Sequence, residues 1–310
     1  GSVHLTRRLT ADAFFSFRQM DGIVDNQFIT SVKEDGYHRI PRDFEKKNTF
    51  TNRLIGSNIH YNGKYFEAGL TAVHNVFNKV LNPTARAYNK YYPRGRDFFN
   101  AGINYKLFWK KFTLQGETAM DKNGRVATMN MLRYSPKNDL QLIVMNRFYD
   151  VAYQSIYARS IGEGSSVQNE SGFYIGLETS LLKYFKLSAY GDFFYFPWKK
   201  YQLSKNGTSG FDGVCQLSYS PSFQLDMFIR YRYKNKHKDF TPEEGEKVTL
   251  PYVQQKWRYQ LNYTPMDELV LKTTVDIVHN GDRDQKASQG ILIGQSGGYK
   301  FQSLPLQLDA

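Results

Sequence analysis

The feature that most restricts this chain is a two-residue alternation of apolar and polar side chains, sustained over about ten residues at a time. Phe223, Leu225, Met227, Ile229, Tyr231 and Tyr233 alternate with Gln224, Asp226, Phe228, Arg230, Arg232 and Lys234. Trp257, Tyr259, Leu261 and Tyr263 oppose Lys256, Arg258, Gln260 and Asn262 in the same way, and Phe99, Ala101, Ile103, Tyr105 and Leu107 oppose Asn100, Gly102, Asn104 and Lys106. A period of two places one set on each face of an extended strand, so each of these segments has one greasy and one wet face. Strands of soluble sandwiches run to about five or six residues, whereas a tilted strand that crosses a bilayer needs about 9–11. The length favours the second kind of sheet over a soluble sandwich or propeller.

About 15 such segments can be counted, and the connections between them alternate in length. Short turns fall at Asn62-Gly63, Phe108 to Lys111, Ser135 to Asp139, Leu182 to Tyr184, Ser220 to Ser222, Thr264 to Glu268 and Phe301 to Pro305. Longer polar stretches run from Asp21 to Thr51, Asn78 to Asp97, Asp150 to Ser171, Lys199 to Gly210 and Asn235 to Leu250. Turns at one rim and loops at the other are the pattern of an antiparallel transmembrane β-barrel. The expected fold is therefore all-β, one barrel domain spanning residues 1–310. The last segment, Leu306 to Ala310, stops in mid-strand, and an odd strand count cannot close an antiparallel barrel. This predicts a piece of a closed barrel of 16 or more strands, incomplete at the C-terminus, with incompleteness at the N-terminus left open as well.

Composition agrees once alternation is allowed for. Mean hydropathy is −0.57 and no run approaches the roughly 18 apolar residues of a helical span, yet aromatic residues make up 16% of the chain. Three turns share the form L-x-Y-[ST]-P, at Leu132 to Pro136, Leu217 to Pro221 and Leu261 to Pro265. A tyrosine on the apolar face just before a proline turn sits at headgroup depth. Tyr134, Tyr219 and Tyr263, with Tyr61, Tyr105 and Tyr299 in equivalent places, are expected to form half of a lipid-interface girdle. Cys215 is the single cysteine and reads as a small apolar filler.

On the wet face the alternation places Arg230, Arg232, Lys234, Lys256, Arg258 and Lys272 close together, with Glu117, Glu178, Asp192, Asp226 and Asp276 as the acidic lining. A one-sided basic ladder would bias a water-filled lumen toward anions. Ordinary cross-strand ion pairing accounts for the same residues equally well. Placing Arg133 and Arg147 inward forces Thr128, Asn130 and Asn146 onto the lipid face, which requires mutual hydrogen bonding, a partner contact or a register-shifting bulge.

The formal charge of +12 favours anionic partners. Outer-membrane lipid and lipopolysaccharide are expected at the loop Asn78 to Asp97, where Lys79, Arg86, Lys90, Arg94 and Arg96 interleave with Tyr88, Tyr91 and Tyr92. Nucleic acid is the alternative there. No H-E-x-x-H, G-x-S-x-G or Walker pattern appears, so neither catalysis nor a metal or other cofactor is expected.

The turn grammar L-x-Y-[ST]-P followed by an [LF]-x-L strand start, with Ser288 to Ile291, Gly297 to Phe301 and Leu304 to Ala310, resembles the barrel region of Bacteroidota-type outer-membrane proteins, in particular the helix-hairpin-helix-containing family. That resemblance implies residence in the outer membrane of a Gram-negative cell more than any activity. A porin-like channel or transport barrel with a basic lumen passing an anionic solute is the leading expectation. An assembly or surface scaffold holding a protein partner, and a barrel for nucleic-acid uptake, are the competing ones.

Overall fold

A computed structural model describes residues 1–241, 246–281, 287–302 and 306–309. The chain is almost entirely β. In order it forms β1 (Ser2–His4), β2 (Leu9–Met20), β3 (Gly22–Asp25), β4 (Phe28–Val32), α1 (Pro41–Phe44), β5 (Phe50–Asn62), β6 (Phe66–Leu81), β7 (Gly95–Trp109), β8 (Phe112–Asp121) and β9 (Val126–Lys137). There follow β10 (Leu140–Tyr149), β11 (Glu170–Leu182), β12 (Phe185–Phe196), β13 (Thr208–Ser222), β14 (Leu225–Phe240), β15 (Val248–Met266), β16 (Leu269–Gly281), β17 (Ser288–Lys300) and β18 (Gln307–Asp309). A 3-10 turn at Ala87–Asn89 is the other helical piece among the described residues.

The wall is a single antiparallel sheet. β1 pairs with β2 and β2 with β5, and from β5 to β18 each strand pairs with the next. β2 and β5 through β17 are long, from 10 to 19 residues each. No pairing joins β1 to β18 among the described residues, so this sheet is an open wall. Ala310, the last residue of the expected terminal strand, and Leu304-Pro305 lie outside the described residues.

Two expected loops contain strands. The stretch Asp21 to Thr51 contains the hairpin β3–β4, whose second strand adds in parallel to β6 through Phe28 and Ile29 opposite Val80 and Leu81. The stretch Asn235 to Leu250 continues the β14–β15 ladder from Asn235↔Val253 to Phe240↔Val248, leaving a connection of residues 241–247. His237, Lys238 and Asp239 are polar, but the ladder bonds only backbone, so polarity did not end the strand.

The alternation sorts the two faces as expected. Ile103, Ile175, Ile229 and Trp257 lie on one face and are between 46% and 53% exposed. Phe99, Leu114, Leu187, Leu225, Leu261, Leu271 and Val275 share that face through the register, as does Cys215 between Ala189 and Tyr231. Glu117, Glu178, Asp192, Arg230, Arg258 and Asp276 lie on the other.

The polar face is concave. The segment 150–169 between β10 and β11 touches β5 through Tyr157, whose hydroxyl accepts from Asn52 Nδ2 at 2.5 Å, and β14 through Glu163, which accepts from Lys234 Nζ at 2.6 Å. Nine strand spacings separate β5 from β14, about 43 Å if the sheet were flat. Tyr157 and Glu163 are six residues apart, a reach of at most ~22 Å along the backbone, so the wall curls around the segment. Two apolar clusters fix it at the loop rim. Ile29, Phe50, Phe77, Leu81 and Phe98 pack beneath Ile156, and Ala127, Tyr149 and Tyr153 beneath Val167.

Candidate functional site

The charged part of the concave face is built by register. β14 and β15 put Arg230 opposite Arg258 and Arg232 opposite Lys256, like charges facing directly across a strand pair. Such pairs repel, and each side chain relieves the repulsion by turning outward to a neighbouring strand. Arg230 Nε donates to Gln216 Oε1 on β13 at 2.7 Å, and Arg232 makes a two-pronged bond with Asp212. Arg258 forks onto Asp276 on β16 at 2.7 and 2.6 Å, with Lys256 Nζ 3.6 Å from the same carboxylate. Lys234 bridges Asp212 at 3.3 Å and Glu163 at 2.6 Å. Two basic strands are thus flanked by two carboxylate strands. The ladder expected to repel itself and recruit anions is for the most part paired.

Beside it lies a buried knot. Arg147 on β10 donates from Nε to Glu170 at 2.8 Å and from Nη1 and Nη2 to Asp192 at 2.7 and 3.1 Å. Both the guanidinium and the Glu170 carboxylate are 0% exposed. Gly172 makes this possible, because a Cβ there would lie 2.2 Å from Arg147 Cζ. Glu170 also accepts the backbone N–H groups of Glu163 and Gly164, each at 2.8 Å. One carboxylate therefore ties the wall to the inward segment.

The remaining expected lining residues are more dispersed. Glu178 pairs with Lys186 at 2.7 Å near the turn rim, and Asp226 accepts from Ser220 Oγ at 2.6 Å and Asn262 Nδ2 at 3.2 Å. Glu117 stands on β8 opposite Asn104 and Met129, away from the ladder, and Lys272 stands opposite Asn262 and Ser296 without an ion pair among the described residues. Asp212, Glu163 and Glu170 were missed. Asp212 was legible, since it alternates with Phe211 and Gly213 in the same two-residue rhythm. Glu163 and Glu170 fall in or beside a stretch without rhythm, and only the three-dimensional path of the segment brings them to the wall.

Of the expected girdle, Tyr61, Tyr134, Tyr219, Tyr263 and Tyr299 lie on the apolar face near the short turns. Tyr134 stacks on Phe112 at 4.5 Å and Phe112 on Trp109 at 5.8 Å, while Tyr219 packs on Phe185 at 4.5 Å. Tyr105 differs. Its hydroxyl donates to Asn130 Oδ1 at 2.6 Å, Asn130 Nδ2 reaches Thr128 at 3.3 Å, and Thr128 meets Thr118 at 2.8 Å. This chain of bonds satisfies Thr128 and Asn130 on the apolar face, while Asn146, opposite Asn130 across β9 and β10, is not part of it. β9 and β10 stay in register from Leu142 to Tyr149 without a bulge there, and Gly116 leaves room, since a Cβ on it would lie 2.4 Å from Asn130 Oδ1.

The aromatics of the loop between β6 and β7 are committed to packing. Tyr91 lies edge-on to Trp198 at 5.2 Å, Lys90 sits 5.3 Å from both rings, and Tyr88 contacts Tyr92 and Tyr201 at 6.1 and 5.4 Å. Trp198 Nε1 donates to Ala87 O and Gln168 Nε2 to Tyr91 O, so three loops form one cover over the loop rim.

No family model matches the chain, and no curated protein does. Solved structures that it resembles include OccK5 (OpdH) of Pseudomonas aeruginosa, at 11% identity, TM-score 0.42, over 95% of this chain and 86% of that one. OccK8 (OprE) of the same organism matches at 10% identity, TM-score 0.41, over 94% and 89%. The siderophore receptor PirA from Acinetobacter baumannii matches at 8% identity, TM-score 0.43, over 97% and 63%.

Proposed function

We propose that this chain is wall and constriction of a bacterial outer-membrane transport barrel, with the apolar face in lipid and the charged face lining a water-filled passage narrowed by the segment 150–169. The observation that carries this reading is the pairing of an exposed apolar belt with a concave face of charged and amide side chains. Soluble proteins seldom expose apolar patches beyond a few hundred Å2, whereas here Phe15, Leu70 and Ile293 are 66%, 58% and 73% exposed along the same face as the isoleucines above. Strands paired edge to edge can present such a face to hydrocarbon because their backbone groups are satisfied by their neighbours.

Arg232, Lys234, Lys256 and Arg258 are paired with Asp212, Glu163 and Asp276, four cations against three carboxylates, so any anion preference rests on that one surplus charge and on the cations of the wall without a carboxylate, among them Arg230 and Lys272. The test is reconstitution of the natural full-length protein in a planar bilayer under a salt gradient. Stepwise conductance with a reversal potential displaced toward the anion supports the proposal. Stable insertion without conductance would make the barrel a surface scaffold instead.

A further inference from the structure

We propose a binding site for a small ring-bearing oxyanion, a carboxylate or phosphate carried on a sugar or aromatic ring, at the loop rim of the concave face between β12, β13, β14 and the connection 197–207. The inference rests on the reading of that face as a lumen wall. A cavity of about 450 Å3 opens there, large enough for a monosaccharide-sized solute.

Four lysines line it, Lys200, Lys234, Lys236 and Lys238, the last lying 5.1 Å from the Tyr252 ring centroid, against one carboxylate, Glu163. Lys234 is satisfied by Glu163 and Asp212. Among the described residues, none of Lys200, Lys236 and Lys238 has a carboxylate oxygen within 4.0 Å. The site is therefore cationic after its own pairing is complete, unlike the ladder below it. Lys200 lies against the ring of Phe196, with Nζ 4.0 Å from the centroid, and burial pushes its pKa down despite the opposing influence of Glu170 and Glu163. A desolvated ammonium of this kind gains most from an anion brought next to it.

A second observation is independent of charge. Thr208 lines the same cavity, is 2% exposed, and its Oγ1 has no hydrogen-bond partner among the described residues. Buried hydroxyls without partners are uncommon, and one beside uncompensated ammonium groups fits a ligand oxygen. Phe196 and Tyr252 give the walls flat apolar surface suited to a sugar or aromatic ring.

The test is titration of the full chain in detergent micelles, followed by tyrosine and tryptophan fluorescence, with glucose 6-phosphate, glucuronate, neutral glucose and inorganic phosphate as probes. Because it needs no conduction, its failure is distinct from failure of the transport reading. Saturable binding of the two acidic sugars, competed by inorganic phosphate and absent for glucose, is expected. Lys236→Gln should weaken it about tenfold, the value of one charge-assisted bond, and Thr208→Val by a smaller factor at unchanged thermal stability. Lys200→Gln should weaken it too, and Lys64→Gln, beside the turn after β5 at the opposite rim, should leave binding unchanged. Equal binding of glucose, or affinities indifferent to Lys236 and Thr208, would overturn the site. Binding of lipopolysaccharide micelles that free acidic sugars cannot displace would overturn it too, assigning the lysines to a lipid headgroup.

Discussion

The two halves of the concave face solve the same problem differently. From β5 to β8 the groups facing the segment are mostly amides: Asn52 and Asn75 are 0% and 4% exposed, the half-buried Asn100 donates to Gln154 O at 3.0 Å, and the one buried carboxylate, Asp121, accepts only backbone N–H groups, from Asn123, Arg125 and Gln154. From β10 to β16 they are ions, with Arg147 held by Glu170 and Asp192 and Arg258 by Asp276. The segment 150–169 rests on both. It meets the amide half through Tyr157 and Gln154 and the ionic half through Glu163 and the N–H groups that Glu170 accepts. An amide that loses its partner costs a hydrogen bond, whereas an ion that loses its partner leaves a bare charge in a poorly hydrated place. The ionic half should therefore be brittle and the amide half forgiving.

The sharpest way to break that comparison is Arg147→Met. It leaves Glu170, fully buried, and Asp192 without their cation, and should cost about 3–5 kcal/mol. The melting temperature in micelles should drop well below that of Asn52→Ala, which removes an amide that is likewise fully buried. Equal losses would show that the knot is hydrated and that the contrast between the halves is only formal.

Next in size is the pair Arg232→Gln and Arg230→Gln. Arg232 leaves Asp212, 6% exposed, without its forked partner. Lys234 still stands 3.3 Å away, and the Arg232 side chain is 41% exposed, so solvent screening limits the loss to about 1–2 kcal/mol. Arg230 strands no carboxylate and should cost little stability. In a bilayer the two should be alike, because each replacement removes one positive charge from the same wall, so anion selectivity should fall by a similar amount while stability falls only for Arg232→Gln. A triple replacement of Arg230, Arg232 and Arg258 by Gln would confuse the two effects.

How much of this was written in the sequence follows from what alternation can encode. Strand identity and face were legible wherever polar and apolar residues kept step, as in Phe223 to Lys234, because side-chain direction is a local property of an extended backbone. Asp212 obeyed the same rule. What was not legible was pairing across the curl. The bond of Tyr157 to Asn52 spans 105 residues and that of Lys234 to Glu163 spans 71, and no local rhythm encodes where a loop without alternation turns. A free ladder and a paired one were equally open in the sequence because the carboxylate partners belong to strands on either side of it and to that loop.

A smaller effect is expected of Tyr157→Phe, which removes the hydroxyl that Asn52 Nδ2 meets at 2.5 Å. Asn52 Oδ1 already lacks a partner, so its whole amide would then be unsatisfied, at about 1–2 kcal/mol. The loss falls on the attachment of segment 150–169 to the amide half, so overall melting should barely move. If that segment narrows the passage, open-channel current noise should rise. Current as quiet as in the unaltered protein would mean that Glu163 and Glu170 alone hold the segment, which would sharpen the division of labour.

The smallest expected effect concerns acid and the connection that covers the amide half. Asp21, just after β2, accepts the Asn48 N–H at 2.9 Å and meets His38 Nε2 at 2.7 Å, closing residues 33–49 over the rim. The backbone bond from Asn48, then the His38 bond and charge, hold its carboxyl below the usual carboxylate range, against the opposing pull of burial. A lowered folded-state pKa means that its contribution is complete above the ordinary aspartate range and is lost as pH falls through the depressed value. Closure should therefore persist from neutral pH to the ordinary aspartate range and loosen only below it. An acid-active protease such as pepsin should cut residues 33–49 faster as pH drops through that window, after correction for the protease's own pH profile. Asp21→Asn keeps the shape but removes the charge, and should be cut at a rate nearly independent of pH and faster than the unaltered protein at the upper end of the window. A cleavage rate that tracks pH equally in both proteins would move the acid response away from Asp21, and the amide half would then owe its cover to the packing of Phe50, Phe77 and Phe98 alone.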